Sequence, residues 1–227
     1  MRFPFYWLIS KKISRKNLRL IVYLKPIIDM KNLLIVAILL LSFQQTSLAK
    51  EPKLKKIFTG KNLDGWKLPE DLTCWRAEKG ILYVRNNAAR KGSNLWTEKA
   101  YTNFIFQTDY LLGDGVVDSG VWLRSENDQI QIGISGSLKR DLTGSPYIPK
   151  LRYPVEAKGA LALIKPTDWN TMKIKMEGKT YTVWLNGVEV MTYTSETIPA
   201  SGPVGLQLHP GNTMSIQYRN IRLAELP

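Results

Sequence analysis

Only one cysteine, Cys74, and one histidine, His209, occur among the 227 residues. A lone thiol cannot form an intramolecular disulfide, so the fold must be held by its core. Cys74 lies between Thr73 and Trp75 in a segment that reads as strand, where a thiol is expected to be buried and inert. No stretch has a convincing helical period of apolar residues, and the apolar run Leu33–Leu41 is far shorter than the roughly 20 residues of a membrane helix. There is also no basic stripe interleaved with stacking aromatics. Lys53, Lys55 and Lys56 cluster but read as a solvated tail, so nucleic acid is not expected as a partner. Asp114 and Asp118 lack the spacing of an EF-hand loop, and neither a metal nor a cofactor is expected.

What is present begins with a leader. Met30-Lys31-Asn32, the apolar run Leu33–Leu41 and Ser47-Leu48-Ala49 have the three-part form of a signal peptide, with cleavage before Lys50. Residues 1–49 thus read as an N-terminal extension plus signal peptide, the signal proper being 30–49 and translation starting at Met30. No cysteine follows the apolar run to anchor a lipid. The expectation is a periplasmic or secreted protein with no stable membrane anchor after cleavage, residues 50–227 forming one domain. The leader carries eight of the 32 basic residues and one of the 19 acidic ones, so the remainder has a net charge of +6, not +13.

From Thr73 onward, short alternating segments are broken by Gly, Asn and Pro at the spacing of an all-β sandwich. Met172, Ile174 and Met176 alternate with Thr171, Lys173, Lys175 and Glu177, and Tyr181, Val183 and Leu185 repeat the period of two. Asn186-Gly187 then supplies the two positive-φ positions of a type I′ turn before a returning strand, Val188–Tyr193. Further strands are expected at 81–84, 95–98, 104–111, 120–124, 130–134, 160–164, 204–208 and 214–223. The parity break between Tyr218 and Ile221 predicts a bulge near Asn220. Many strands without intervening helices imply two antiparallel sheets packed face to face, a jelly roll. Lys139–Gly159, rich in Pro and Gly, is the one long loop, and such loops are often functional.

Several segments, among them Ile57–Trp66, Leu95–Phe104, Asp118–Arg124, Val183–Gly187, Gly205–His209 and Arg219–Arg222, resemble in order the motifs of the 3-keto-disaccharide hydrolase family. Ile57-Phe58-Thr59-Gly60-Lys61-Asn62-Leu63-Asp64-Gly65-Trp66 is similar to its opening LFNGKDLDGW, and 95–104 to LWTEKEYGDF. Asp118-Ser119-Gly120-Val121-Trp122-Leu123-Arg124 resembles NSGVFLR, 168–171 EWNT, 183–187 VWLNG, Gly205-Leu206-Gln207-Leu208-His209 GLQDH, and Arg219-Asn220-Ile221-Arg222 RNIRI. The resemblance spans Leu54 to Leu226 and implies a concanavalin A-like sandwich that cleaves glycosides already oxidised to a ketone at sugar C3. Two positions depart from the family pattern. Gln129 stands where the family has glutamate, and Asp118 where it has asparagine.

A ketone at C3 acidifies the C2 hydrogen, so a base can remove it and the aglycone at C1 can leave by elimination, after which water adds. Such a site needs a base effective near neutral pH and a donor for the enolate oxygen. Histidine is the side-chain type suited to the first task, and His209 ends a strand before Pro210-Gly211. Its alternative is a structural hydrogen bond at a strand end. Arg124 offers a rigid fork of donors to a sugar hydroxyl or the enolate, or else a surface ion pair. Asp118 and Glu98 are the carboxylates considered with them. Gln129 and Gln131 share one strand face and suit sugar hydroxyls if that face forms a cleft, solvent otherwise. Trp96 and Trp122 are candidate platforms for pyranose rings, whereas Trp66, Trp75, Trp169 and Trp184 are expected in the core. Glu126 and Asp128 nearly match the E-x-D-x-x-E motif of laminarinase-like glycosidases, but Gln131 occupies the acid position, so the match is read as accidental. The chain is thus expected to bind carbohydrate, either as a glycoside-cleaving enzyme or as a non-catalytic binding module.

Overall fold

The computed structural model describes residues 51–227; the expected extension and signal segment, 1–49, lies outside the described residues. In chain order the strands are β1 (Lys55–Lys56), β2 (Trp66–Lys67), β3 (Trp75–Glu78), β4 (Ile81–Arg85), β5 (Ser93–Thr97), β6 (Asn103–Gly115) and β7 (Asp118–Leu123). They continue as β8 (Gln129–Gly133), β9 (Pro146–Tyr147), β10 (Asn170–Glu177), β11 (Thr180–Leu185), β12 (Val188–Thr194), β13 (Val204–Leu208) and β14 (Met214–Leu226). All pairings are antiparallel. One sheet runs β12-β11-β10-β6-β14-β4-β3, with β1 added to β14, and the other runs β2-β5-β13-β7-β8-β9. The result is the two-sheet sandwich that the alternation predicts, with a concanavalin A-like arrangement.

The period of two sets the core. Met172, Ile174, Met176, Val183 and Leu185 are all fully buried, and they pair across β10 and β11 as Met172↔Leu185 and Ile174↔Val183. Asn186 and Gly187 close the β11–β12 hairpin at φ 50° and 86°, as a type I′ turn requires. Asn220, at φ 53°, sits where the β14–β6 register shifts between Arg219 and Arg222. Leu185→Ala should therefore cost about 2–5 kcal/mol, whereas Lys175→Ala on the outer face should barely move the melting temperature. Equal melting of the two variants would mean a different register.

Two expectations are corrected. Ala160–Leu163 forms one helical turn, α1, and not a strand. Ala and Leu favour helix, Gly159 enters the turn in a left-handed conformation, and only Ala160 is buried, so the short apolar run lacked a period to distinguish the two. Trp66 and Trp75 are core residues at 2% and 4% exposure, but Trp169 and Trp184 are half-buried. Each lies under a cation, Arg219 at 4.0 Å and Lys173 at 4.5 Å from the ring centre. Cation–π contact gives an amphipathic ring a use on a solvated face.

Candidate functional site

Strands β7, β8 and β13 lie side by side, and their alternation divides them cleanly. Val121, Leu123, Ile130, Ile132 and Leu206 point into the core, which puts Asp118, Gly120, Trp122, Gln129, Gln131 and Gln207 on the opposite face. Polar residues there would ordinarily be solvated, yet Asp118, Gln129 and Gln131 are 2–3% exposed. The long loop covers them. It folds back through an Ile134–Asp141 bridge and adds β9 to the sheet edge, pairing Tyr147 with Gln129. Between this cover and the sheet lies a cleft of about 550 Å³, a volume suited to a small organic ligand.

Asp118 and His209 meet in that cleft. Asp118 accepts from the Gln131 amide through Oδ1 and from the Gly136 backbone N–H through Oδ2, both at 2.8 Å. A Cβ at Gly136 would lie 2.8 Å from Asp118 Oδ2, so a larger residue there would displace the carboxylate from this position. His209 Nε2 faces the same Oδ2 at 3.7 Å. Its other nitrogen, Nδ1, is 2.7 Å from the Pro210 carbonyl. A carbonyl only accepts, so Nδ1 carries the proton in the neutral ring and Nε2 keeps its lone pair. A proton taken up at Nε2 would sit between the imidazole and the carboxylate.

Gln131 links this pair to the loop, since its Oε1 accepts from Tyr153 Oη at 3.0 Å. Burial, aided by the charge of Asp118, pushes the Tyr153 phenol up to about 12. The phenol therefore remains a donor through the physiological range, holding the amide with its oxygen toward Tyr153 and its nitrogen toward Asp118. The rings of Tyr147 and Tyr153 lie 5.3 Å apart and give the cleft an aromatic wall, while Lys139 adds an exposed ammonium group. Among the described residues, Asp118 is the only carboxylate lining the cleft.

The structure thus brings together His209, Asp118, Gln129 and Gln131. It does not bring Arg124. That residue follows β7 at the end opposite Asp118, 2% exposed, and donates to the carbonyls of Gly178 at 2.7 Å, Pro199 at 2.9 Å and Thr102. Burial lowers its guanidinium from the usual arginine value. Arg124 thus clasps three loops and lies outside the cleft. Trp122 is 5% exposed and commits its indole N–H to Asn94 at 3.0 Å, so it presents no open ring to a pyranose. Trp96 is half-buried, its ring lying over Gly205, where a Cβ would meet it at 2.6 Å, and it does not line the cleft. Glu98 lies beyond β5, exposed, and is likewise outside the cleft. Glu126 is exposed and bonds Asn94, whereas Asp128 is fully buried and takes hydrogen bonds from Tyr181 and Thr197 at 3.0 Å each. The apparent glycosidase motif is therefore split between two environments. Asp114 is exposed and pairs with Arg85 at 2.6 Å.

Sequence reasoning missed Tyr147, Tyr153, Lys139, Gly136 and Gln207. The length of the loop that holds the first three was the available signal, and the shared parity of Gln207 and His209 was another.

The two-sheet jelly roll, with a polar cleft on the outer face of one sheet, is a glycosyl hydrolase-like or carbohydrate-binding fold. The sequence matches the profile of the 3-keto-α-glucoside-1,2-lyase-like domain over residues 53–224, and the chain belongs to that family. No curated protein matches it significantly. A crystal structure from Parabacteroides distasonis, provisionally assigned as a glycosyl hydrolase, superposes with a TM-score of 0.59 at 24% identity, covering 77% of this chain and 100% of that one. A carbohydrate-binding module, CBM66 from Bacillus subtilis, gives 0.51 at 14% identity over 71% of this chain and 96% of its own. A β-glucanase of Bacillus licheniformis gives 0.54 at 12% identity over 72% and 94%. Identities this low bear on fold alone. Asp118 and Gln129, the two positions at which the sequence departs from the family motifs, both line this cleft.

Proposed function

We propose that the protein is an exported enzyme that cleaves 3-keto-glycosides by proton abstraction and elimination. The observation that carries this reading is the approach of His209 Nε2 to Asp118 Oδ2 at 3.7 Å inside a covered cleft. His209 Nε2 takes the hydrogen from C2, and the electron pair left behind forms an enolate with the C3 oxygen. Collapse of the enolate makes the C1–C2 double bond and breaks the C1–O bond, the aglycone oxygen taking the proton held on His209 and leaving as the alcohol; water then adds across the double bond, OH to C1 and H to C2, completing hydrolysis. Asp118 faces the imidazolium so formed, and Lys139 is the cation available to the enolate oxygen, the task that the sequence had suggested for Arg124. Double displacement by paired carboxylates needs two carboxyl groups about 5–5.5 Å apart, and a cleft lined by Asp118 alone offers no such pair.

A binding module without turnover is the second reading, favoured by the four amides Gln129, Gln131, Gln207 and Asn212 in the same cleft. Incubation with 3-keto-glycosides and their unoxidised parents separates the two. Release of aglycone from the ketones alone is the expected result. Binding of both classes with release from neither would leave only the module.

A further inference from the structure

Gln129 is 2% exposed and lines the cleft, yet its Nε2 has no hydrogen-bond partner. Gln207 Oε1, also buried and in the same cleft, has none either. Buried polar atoms are almost always paired, and leaving one unpaired is costly. One atom is a donor and the other an acceptor.

Sheet register brings them toward each other. Gly120 pairs with Gln207 on β13 and with Gln131 on β8. A Cβ at Gly120 would lie 2.6 Å from Gln129 Cδ and 2.7 Å from its Cγ, so the Gln129 carboxamide occupies the space that a side chain at 120 would fill. Gln129 therefore lies diagonally over Gly120, between Gln131 and Gln207. Of these three amides, Gln131 is satisfied by Asp118 and Tyr153.

We infer that Gln129 Nε2 and Gln207 Oε1 form a subsite for one free hydroxyl of the sugar. A hydroxyl accepts from the first and donates to the second. A ketone or ether oxygen can only accept, and a methylene does neither. The subsite would thus orient the sugar by directing its C3 ketone elsewhere, toward the cationic part of the cleft. This inference rests on the proposed keto-sugar chemistry for the identity of the ligand, but the recognition itself needs no turnover.

The test uses methyl 3-keto-α-glucoside and its 2-, 4- and 6-deoxy analogues, with Kd measured calorimetrically on the full chain carrying His209→Ala. One deoxy analogue should bind about 10²-fold or more weakly, as expected where buried polar groups lose their partner. Adding Gln129→Met or Gln207→Met should reduce that discrimination to less than tenfold. Each methionine variant should also raise the melting temperature of the ligand-free protein, because an apolar side chain of similar length replaces a buried amide. Equal affinity for all four ligands, no binding of the parent, or discrimination that survives both methionine variants overturns the inference. If the wild type releases no aglycone but the discrimination is present, the elimination chemistry fails and the hydroxyl subsite stands. Release without discrimination gives the opposite result.

Discussion

Replacement of His209 by alanine is expected to slow aglycone release by about 10²–10⁴-fold, the usual contribution of a positioned base, with KM little changed. The loss should fall on kcat because C2–H abstraction belongs to the transition state, whereas ground-state contacts come from the amides and the tyrosine wall. Stability should hardly respond. The side chain is 36% exposed, and its one short hydrogen bond joins it to the adjacent residue, Pro210. Added imidazole should restore part of the rate by entering the vacated space beside Asp118. A rate within threefold of wild type would remove His209 from the chemistry.

Arg124→Ala should have the largest effect on folding. Three carbonyls, on Thr102, Gly178 and Pro199, depend on one guanidinium, and hydrogen bonds to a charged donor contribute about 1.5–3 kcal/mol each. A net loss of about 3 kcal/mol or more is expected, which for a domain of this size lowers the melting temperature by roughly 6–12 °C. Arg124 also holds φ at 61°, a conformation costing a non-glycine residue about 1–2 kcal/mol. Arg124→Gly should therefore melt above Arg124→Ala despite lacking the same contacts. Turnover measured well below the melting temperature should be nearly intact. A loss of kcat in a stable Arg124 variant would return this residue to the site.

The longer strands were legible because burial on one face imposes alternation, which Met172, Ile174 and Met176 display plainly, whereas the two-residue β1, β2 and β9 are too short to show it. Nor was Ala160–Leu163 legible, since four apolar residues fit either a strand or a helical turn. Within the site, Asp118, Gln129, Gln131 and His209 could be placed on or beside strands whose parity was readable, although the order of those strands in the sheet was not. Arg124 misled because a strand-end arginine looks the same in sequence whether it binds a ligand or three carbonyls; which of these it meets depends on loops remote in the chain. Tyr153 and Lys139 lie in a loop without periodicity, so nothing local specified that they would fold over β8. Trp96 and Trp122 share a face with the cleft, but one is laid over Gly205 and the other bonded to Asn94, relations set by cross-strand register and not by their own segments.

The seating of the Gln129 carboxamide over Gly120 also limits how this cleft can change through successive substitutions. A Cβ at position 120 would lie 2.6 Å from the Ile130 carbonyl oxygen as well as 2.6–2.7 Å from the Gln129 side chain, so a shorter residue at position 129 removes only part of the obstruction. The backbone of β8 thus holds position 120 to glycine whatever stands at position 129. Altered sugar preference is reachable through position 129 but not through position 120.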